Sequence, residues 1–315
     1  MDFSLPRRSG LAHSLIRRTF LGMLMSSRMA MFSLVFAELL VAGPVVGGPT
    51  PCRWQVATTR ERVASDRILE LQLPFARKED GQREFPGPDS IRLIDRNDAH
   101  HRPELVLRDM RTGRERPLIS SPAFRPEWSP DGRLVACIVS ESLKRPRQLV
   151  IVDWRSGKIV EAGSSLSVAD CKWSPDAKAL AVYGDDRTTG DGVLVIAQAS
   201  NGRTKEVDRT SVIADFDYSW SPDSRLLAYA RPARATEHEL VLEADLWITD
   251  RAGRVRCRVI ESTDKVERRP LWVAIRSLAL LSAPVNGEHV GDEREVVIEL
   301  TEKSTSNRTD AVRHP

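Results

Sequence analysis

The sequence predicts an all-β protein, a β-propeller of about five four-stranded blades, and two repeated patterns carry this prediction. The first pattern is Trp-Ser-Pro-Asp, which begins at Trp128, Trp173 and Trp220, with a degenerate copy at Trp272. Successive tryptophans are 45, 47 and 52 residues apart. A period in the forties is typical of one propeller blade, which must stack on its neighbours to bury its faces.

The second pattern is an apolar run followed by a turn that ends in glycine and a basic residue. These pairs are Gly113-Arg114, Gly157-Lys158, Gly202-Arg203 and Gly253-Arg254, at steps of 44, 45 and 51 residues. Because both patterns keep nearly the same period, each unit is predicted to contain four short strands separated by turns and one loop.

The Ser-Pro-Asp-Gly stretch after tryptophan predicts a type I turn, since proline presets φ at the second position and aspartate and glycine suit the next two. The shared position of the aspartates indicates that they cap the turns and do not form a catalytic set. We expect the tryptophan rings to fill the space between blades. The residues of this repeat are Trp128, Pro130, Asp131, Gly132, Trp173, Pro175, Asp176, Trp220, Pro222, Asp223 and Trp272.

Over residues 104–283, these repeats resemble the TolB family of β-propellers, and a similar repeat occurs in the propeller domains of prolyl-oligopeptidase-like enzymes. The pattern departs at Ala177 and Ser224, which replace the turn glycine, and at Val273-Ala274-Ile275, which replace Ser-Pro-Asp. Six blades are usual in the TolB family, so the resemblance implies six as the alternative number of blades. It implies no peptidase activity, because those enzymes hold their catalytic residues in a separate hydrolase domain, and no Gly-x-Ser-x-Gly motif occurs here.

Residues 1–48 are predicted to be a signal peptide or a membrane anchor. Arginines precede an apolar run at 29–46 whose only charged residue is Glu38, and Arg17-Arg18 resembles a twin-arginine export motif. Cleavage after export and retention as an anchor remain alternatives. Either outcome would place the propeller in the periplasm or elsewhere outside the cytoplasm.

The remaining chain is predicted to be a linker at 49–66, the propeller at 67–300 and a disordered tail at 301–315. The first blade lacks the tryptophan motif, and the others are expected at 124–163, 168–209, 215–261 and 269–300. The last blade lacks a fourth strand in sequence, and we expect either Trp54–Val56 or Ile68–Leu73 to complete it, because closure removes a free sheet edge. Six blades would require another blade from residues 49–103.

The net charge of +3 disfavours nucleic-acid binding. The four cysteines, Cys52, Cys137, Cys171 and Cys257, lack metal-finger spacing, so buried thiols are the favoured interpretation. The alternative is that two of them form a disulfide in an oxidising compartment, and the sequence does not decide between these interpretations.

Two clusters could bind a metal, but an exposed loop is favoured for each. Asp185, Asp186 and Asp191 lie in an acidic hairpin loop without EF-hand spacing. His100 and His101 follow Asp98, and adjacent residues of an extended chain point to opposite faces. No cofactor or metal is predicted.

The sequence favours a non-enzymatic envelope propeller that binds a protein, peptide or glycan, since it predicts a scaffold without a catalytic motif. The loops at 141–147, 184–192 and 231–239 should share one face. Their arginines suggest an acidic partner and are Arg145, Arg147, Arg187, Arg231 and Arg234. The alternatives are a lyase or hydrolase with its site in the central channel, which a perturbed carboxylate there would favour, and a purely structural role.

Overall fold

The computed structural model describes residues 52, 54–62, 82–100, 102–140, 146–212, 216–236 and 241–303. This part of the chain consists of strands, turns and bends and contains no helix, and so no helix able to span a membrane. The predicted signal or anchor at 1–48, the Ile68–Leu73 segment and residues 304–315 lie outside the described residues.

Within the described residues, the strands form three separate antiparallel sheets of four and one sheet of nine. Sheet I contains β2 (Arg83–Pro86), β3 (Ile91–Asn97), β4 (Pro103–Asp109) and β5 (Glu115–Ile119). Sheet II contains β6 (Ala123–Trp128), β7 (Leu134–Val139), β8 (Gln148–Asp153) and β9 (Ile159–Ala162). Sheet III contains β10 (Leu166–Trp173), β11 (Ala179–Asp186), β12 (Gly192–Gln198) and β13 (Thr204–Thr210).

The nine-stranded sheet divides into two groups of four, which we call sheets IV and V. Sheet IV contains β14 (Asp217–Trp220), β15 (Leu226–Ala235), β16 (Val241–Asp250) and β17 (Arg256–Ile260). Sheet V contains β18 (Lys265–Ala274), β19 (Ser277–Asn286), β21 (Arg294–Glu302) and β1 (Trp54–Arg62), and β20 (His289–Val290) pairs with β19. One parallel pairing, Ala244 with Val266, joins the two groups.

The N-terminal strand completes sheet V. β1 pairs antiparallel with β21 from Trp54 opposite Glu302 to Arg62 opposite Glu295. This confirms the prediction that the Trp54 segment closes the last sheet. The prediction of a linker at 49–66 is therefore wrong for residues 54–62. This segment forms a strand because the free edge of β21 offers it backbone hydrogen-bond partners.

Consecutive sheets pack face to face, and each apolar cluster between them draws on two neighbours. Ile151 of sheet II packs in one cluster with Leu180 of sheet III, and Leu194 of sheet III packs in another with Tyr229 of sheet IV. The tryptophans lie in these interfaces, as expected. Meander sheets stacked in chain order, with the first chain segment completing the last sheet, have the architecture of a β-propeller.

An indole hydrogen bond recurs between neighbouring sheets. Nε1 of Trp173 donates to the backbone oxygen of Glu127 at 3.3 Å, Nε1 of Trp220 to that of Lys172 at 3.1 Å, and Nε1 of Trp272 to that of Ser219 at 3.2 Å. Each acceptor immediately precedes the previous tryptophan. The first strands of sheets II to V therefore lie side by side.

The three Ser-Pro-Asp turns are closed by the backbone hydrogen bond expected of a tight turn. The amide of Gly132 donates to the backbone oxygen of Ser129 at 2.8 Å, and the hydroxyl of Ser129 donates to Asp131 at 2.7 Å. Asp176 and Asp223 accept the equivalent bonds from Ser174 and Ser221. The aspartates thus cap these turns.

One disulfide joins Cys52, just before β1, to Cys257 in β17, with 4.9 Å between the Cα atoms. The buried-thiol interpretation is wrong for this pair, and the alternative that the sequence left open is found instead. Cys137 and Cys171 are free and buried. Burial raises the pKa of Cys137 to about 12, so this thiol stays protonated at neutral pH.

Candidate functional site

The tight turns of sheets II, III and IV open onto a cavity of about 1150 Å³, which we call the turn-face cleft. It lies at the strand ends where the turns after the tryptophans meet the glycine turns. Its charged and polar lining comprises Asp131, Arg133, Asp153, Lys158, Asp176, Lys178, Gln198, Ser200, Asp223, Ser224, Arg225, Asp250, Arg251 and Arg254. Aliphatic side chains contribute the rest, namely Leu134, Ile151, Val160, Ala177, Ala179, Ile196, Ala199 and Ala252.

The carboxylates of the cleft are held by their own turns. Asp153 accepts backbone N–H bonds from residues 155 and 156, both at 3.0 Å, and Asp250 accepts one from residue 254 at 2.7 Å. Burial alone would raise the pKa of Asp176. Hydrogen bonds from Ser174 and from the amide of residue 178, with the Arg251 guanidinium, nevertheless lower that pKa below its usual value.

The basic side chains divide the cleft into two ends. At the end between sheets III and IV, Arg251 contacts Asp176 at 2.5 Å and Arg254 contacts Asp250 at 3.8 Å. At the end between sheets II and III, three exposed cations make no ion pair with any described residue; they are Arg133, Lys158 and Lys178. We call these three residues the basic trio. Their end of the cleft can attract an anion.

The arginines predicted to form a binding face lie at the other ends of the strands, on the loop face. Arg187 donates to the backbone oxygen of Leu166 at 3.0 Å, Arg231 pairs with Asp208 at 3.2 Å, and Arg234 pairs with Glu243 at 2.8 Å.

Arg147 is exposed, and no described residue accepts a hydrogen bond from its side chain. Arg145 lies outside the described residues. Most of the described arginines on this face are therefore already paired, and a binding role for it stays a prediction.

A second group of charged residues lies on the first strands of sheets II to IV. Asp170 accepts a hydrogen bond from the Tyr218 hydroxyl at 3.0 Å and contacts the Arg125 guanidinium. The ammonium of Lys172 donates to the backbone oxygen of Tyr218 at 3.0 Å and lies 4.7 Å from the centre of its ring. We call Arg125, Glu127, Asp170, Lys172 and Tyr218 the first-strand cluster.

Glu127 is the member of this cluster whose carboxylate has no hydrogen bond from a described residue. Its side chain is exposed at the surface, although the surrounding protein atoms reduce hydration of the charge. This desolvation, together with the negative charge of Asp170, raises the pKa of Glu127 to about 7, and the charge of Lys172 opposes the shift. Such a carboxyl group can accept or donate a proton near neutral pH.

Of the two clusters considered for metal binding, the acidic one lies only partly in a loop, because Asp185 and Asp186 form the end of β11 and not the predicted loop. Asp186 and Asp191 both contact the guanidinium of Arg209, at 3.0 and 3.3 Å. Asp98 accepts backbone bonds from residue 102 and residue 100, which lower its pKa to about 2. Within the described residues, no three or more His, Cys, Asp or Glu side chains are placed to hold a metal ion. His101 lies outside them.

Sequence reasoning missed both the basic trio and the first-strand cluster. A signal for the trio was present, since Arg133 and Lys178 each follow the turn after a tryptophan, and Lys158 belongs to a glycine–basic pair. The cluster had a weaker signal, because its charged residues lie one and three positions before Trp128 and Trp173.

No protein-family model and no curated protein matches the sequence. The fold is similar to the propeller domain of the Trilobed protease from Pyrococcus furiosus, with 13% identity over 66% of this chain and 65% of that chain and a TM-score of 0.48.

Two further similar structures are an oligogalacturonate lyase from Vibrio parahaemolyticus and TolB from Acinetobacter baumannii. The lyase has 13% identity, coverage of 79% of this chain and 73% of that chain, and a TM-score of 0.48. TolB has 16% identity, coverage of 67% and 52%, and a TM-score of 0.37. This chain thus spans between half and three quarters of the length of these three structures.

Proposed function

We propose that this protein is a non-enzymatic, extracytoplasmic β-propeller that binds a partner of the cell envelope on its turn face. The single observation that carries the proposal is the turn-face cleft, whose basic trio makes no ion pair with a described residue. The loop face offers fewer free charges, because Arg187, Arg231 and Arg234 are engaged within the fold. Ligand sites are typically concave and combine apolar lining with a few polar groups, as this cleft does.

Export is supported by the disulfide between Cys52 and Cys257. Disulfides persist in secreted and periplasmic proteins and are rare in a reducing cytosol. The apolar run at 29–46, preceded by arginines, agrees with a signal peptide or an anchor that leads the chain out of the cytoplasm.

Five blades are supported by the strand groups, since sheets I to V each contain four principal strands. β1 supplies the strand that sheet V lacks in sequence, so no sixth sheet is required to satisfy its edge. The similarity of the repeats to the TolB family is compatible with this assignment, although six blades are usual there.

Photo-crosslinking from the two faces would test the proposal. Ser200 lines the cleft, and Thr188 lies on the loop face; both side chains are exposed. A photoreactive residue at position 200 in the exported protein should crosslink a distinct envelope component, and one at position 188 should not. Crosslinks from position 188 alone would assign partner binding to the loop face, and their absence from both positions would contradict a stable partner.

A second candidate function, a propeller enzyme, is favoured by one observation, the raised pKa of Glu127. A proton-transfer residue needs a pKa close to the working pH. Lys172 and Asp170 provide charged groups nearby. In this case Glu127 would exchange a proton with the substrate, and Lys172 would stabilise negative charge on it.

The titration of Glu127 can be measured through stability. Its folded pKa of about 7 lies above the ordinary value of 4.5, so folding favours the protonated form. The stabilisation is complete below about pH 4.5 and is lost as the pH rises through 7. We expect Glu127→Gln to flatten this part of the pH dependence of the unfolding free energy, and Glu161→Gln, an exposed control, to leave it unchanged. Identical profiles for all three proteins would remove the argument for an enzyme.

A further inference from the structure

The end of the turn-face cleft between sheets II and III combines free positive charge with an apolar floor. We propose that this end binds an extended peptide segment that carries acidic and aliphatic side chains. The inference rests on the proposed function and specifies the chemistry of its ligand.

The positive charge at this end is available to a ligand. Arg133 and Lys178 project from the turns after two successive tryptophans, and Lys158 projects from the glycine turn between them in sequence. Two carboxylates lie near these cations, and both also accept hydrogen bonds from their own turns. Asp131 accepts bonds from Ser129 and from the backbone amide of residue 133. Asp153 accepts bonds from the amides of residues 155 and 156 and attracts Arg133 without forming an ion pair with it. Arginine in particular can bind a carboxylate through two parallel N–H bonds.

The cations at the opposite end of the cleft each have a carboxylate nearby. Arg251 is paired with Asp176 at 2.5 Å, and Arg254 and Arg225 lie 3.8 and 4.0 Å from Asp250 and Asp223. An anionic group entering there would have to compete with these carboxylates. The difference in pairing therefore places an acidic side chain of the ligand at the basic trio.

The apolar part of the cleft favours a peptide over a sugar or an inorganic polyanion. Leu134, Ile151 and Val160 line the same end. None of the residues that line the cleft is aromatic, so it offers no ring face on which a sugar could stack. Aliphatic side chains of a peptide would gain burial against this surface.

The test measures binding of defined probes to the full-length chain solubilised in a non-ionic detergent. The main probe is a fluorescein-labelled peptide of about twelve residues with alternating Glu and Leu, followed by fluorescence polarisation. Matched probes replace Glu by Lys or Leu by Ser, and polygalacturonate and polyphosphate serve as competitors. We expect the Glu–Leu peptide to bind most tightly and to weaken as salt increases, since exposed charges are screened.

Charge reversal locates the site. Arg133→Glu, Lys158→Glu and Lys178→Glu together should weaken binding of the Glu–Leu peptide by about tenfold or more, since each lost or reversed charge contact contributes a modest factor. The control carries the same change of charge at exposed positions outside the cleft, as Arg276→Glu, Lys265→Glu and Lys303→Glu. A third variant with glutamine at the three trio positions should lie between the two.

Several outcomes would overturn the inference. These are equal weakening by the control variant, equally tight binding of the Glu–Ser peptide, stronger competition by either polyanion than by unlabelled Glu–Leu peptide, or no binding of any peptide. Crosslinking from position 200 separates this failure from that of the proposed function. If position 200 still captures an envelope partner, the scaffold function stands and only the acidic, aliphatic chemistry falls.

Discussion

The middle of the propeller and its two ends are stabilised in different ways. Between sheets II and III and between III and IV, the tryptophan of the later sheet is hydrogen-bonded to the backbone of the earlier one. At the start of the fold, the indole nitrogen of Trp128 is buried without a hydrogen-bond partner. The repeated motif thus stabilises an interface only where the preceding sheet also carries it.

Sheet I lacks the tryptophan motif, and its contact with sheet II depends instead on close packing. It has no tryptophan, and Trp128 of sheet II instead lies against Gly87 and makes an edge contact with Trp154 at 6.0 Å between ring centres. A Cβ atom at position 87 would lie 2.5 Å from the Trp128 ring. Glycine is required here by the approach of the ring and not by backbone conformation.

Sheet V keeps part of the motif and adds chain connectivity. Trp272 is buried, and its Nε1 donates to the backbone oxygen of Ser219, as in the middle sheets. The turn after it, however, exposes Val273 and Ile275, at 55% and 57%, in place of the buried Ser-Pro-Asp hydrogen bonds. β1 and the disulfide between Cys52 and Cys257 fasten this sheet in addition. The comparison shows that the tryptophan bond recurs wherever the preceding sheet carries the motif, whereas each end also has a contact of its own.

The largest loss of stability is expected from a substitution at the interface between sheets II and III. Trp173 is 6% exposed, so Trp173→Ala should lower the free energy of unfolding by about 3–5 kcal/mol. Trp128→Ala should cost less, because the ring is only partly buried and its N–H bond is already absent. Denaturant unfolding of both variants checks the order. An equal or larger loss for Trp128→Ala would break the comparison.

The second largest loss of stability is expected when the disulfide that fastens sheet V is removed. The double variant Cys52→Ser, Cys257→Ser should lose about 2–4 kcal/mol, because the disulfide constrains the unfolded chain. Adding a reductant should lower the stability of the native protein by a similar amount and should not affect the double variant. Amide exchange should accelerate first in β1 and β21. Uniform acceleration across all sheets would argue against a local fastening.

At sheet I, Gly87→Ala should cost about 1–3 kcal/mol, since the added methyl group overlaps the Trp128 ring. The steric cause can be isolated with a second substitution. In a Trp128→Ala background, Gly87→Ala should be nearly neutral, and an undiminished loss there would show that the ring is not the cause.

The smallest change in stability is expected from substitutions in the turns that follow Trp173 and Trp220. Ala177 and Ser224 both adopt left-handed conformations, with φ of 59° and 60°, which glycine tolerates better. Ala177→Gly should be neutral or slightly stabilising. Ser224→Gly also removes the hydroxyl that accepts a 2.9 Å bond from the Asp176 amide, so it should be less stable by about 1 kcal/mol than Ala177→Gly. Equal unfolding midpoints would show that this bond adds little.

Much of the fold could be predicted from the sequence because the same turn and core residues recur at a nearly fixed spacing. Trp173, with the proline and aspartate that follow it, predicts a turn and a buried ring from a few adjacent residues. The same reasoning located Trp54–Val56 as one of two candidates for closure, and pairing with β21 confirmed it.

The candidate sites were less accessible, because they depend on residues from different sheets. The loop-face arginines looked free in sequence, yet Arg231 pairs with Asp208 of the preceding sheet, and Arg234 pairs with Glu243 on the neighbouring strand. Such pairing depends on strand register and on the packing of neighbouring sheets.

By itself, the sequence determined the strand period, the turn geometry and the burial of the tryptophans, since these follow from residues a few positions apart. Only the tertiary structure decided which cysteines pair, which cations remain free and which carboxyl group titrates near neutral pH. These properties depend on distance and solvation between sheets, and Glu127 shows why: its pKa is set by burial and by Asp170 on the next sheet.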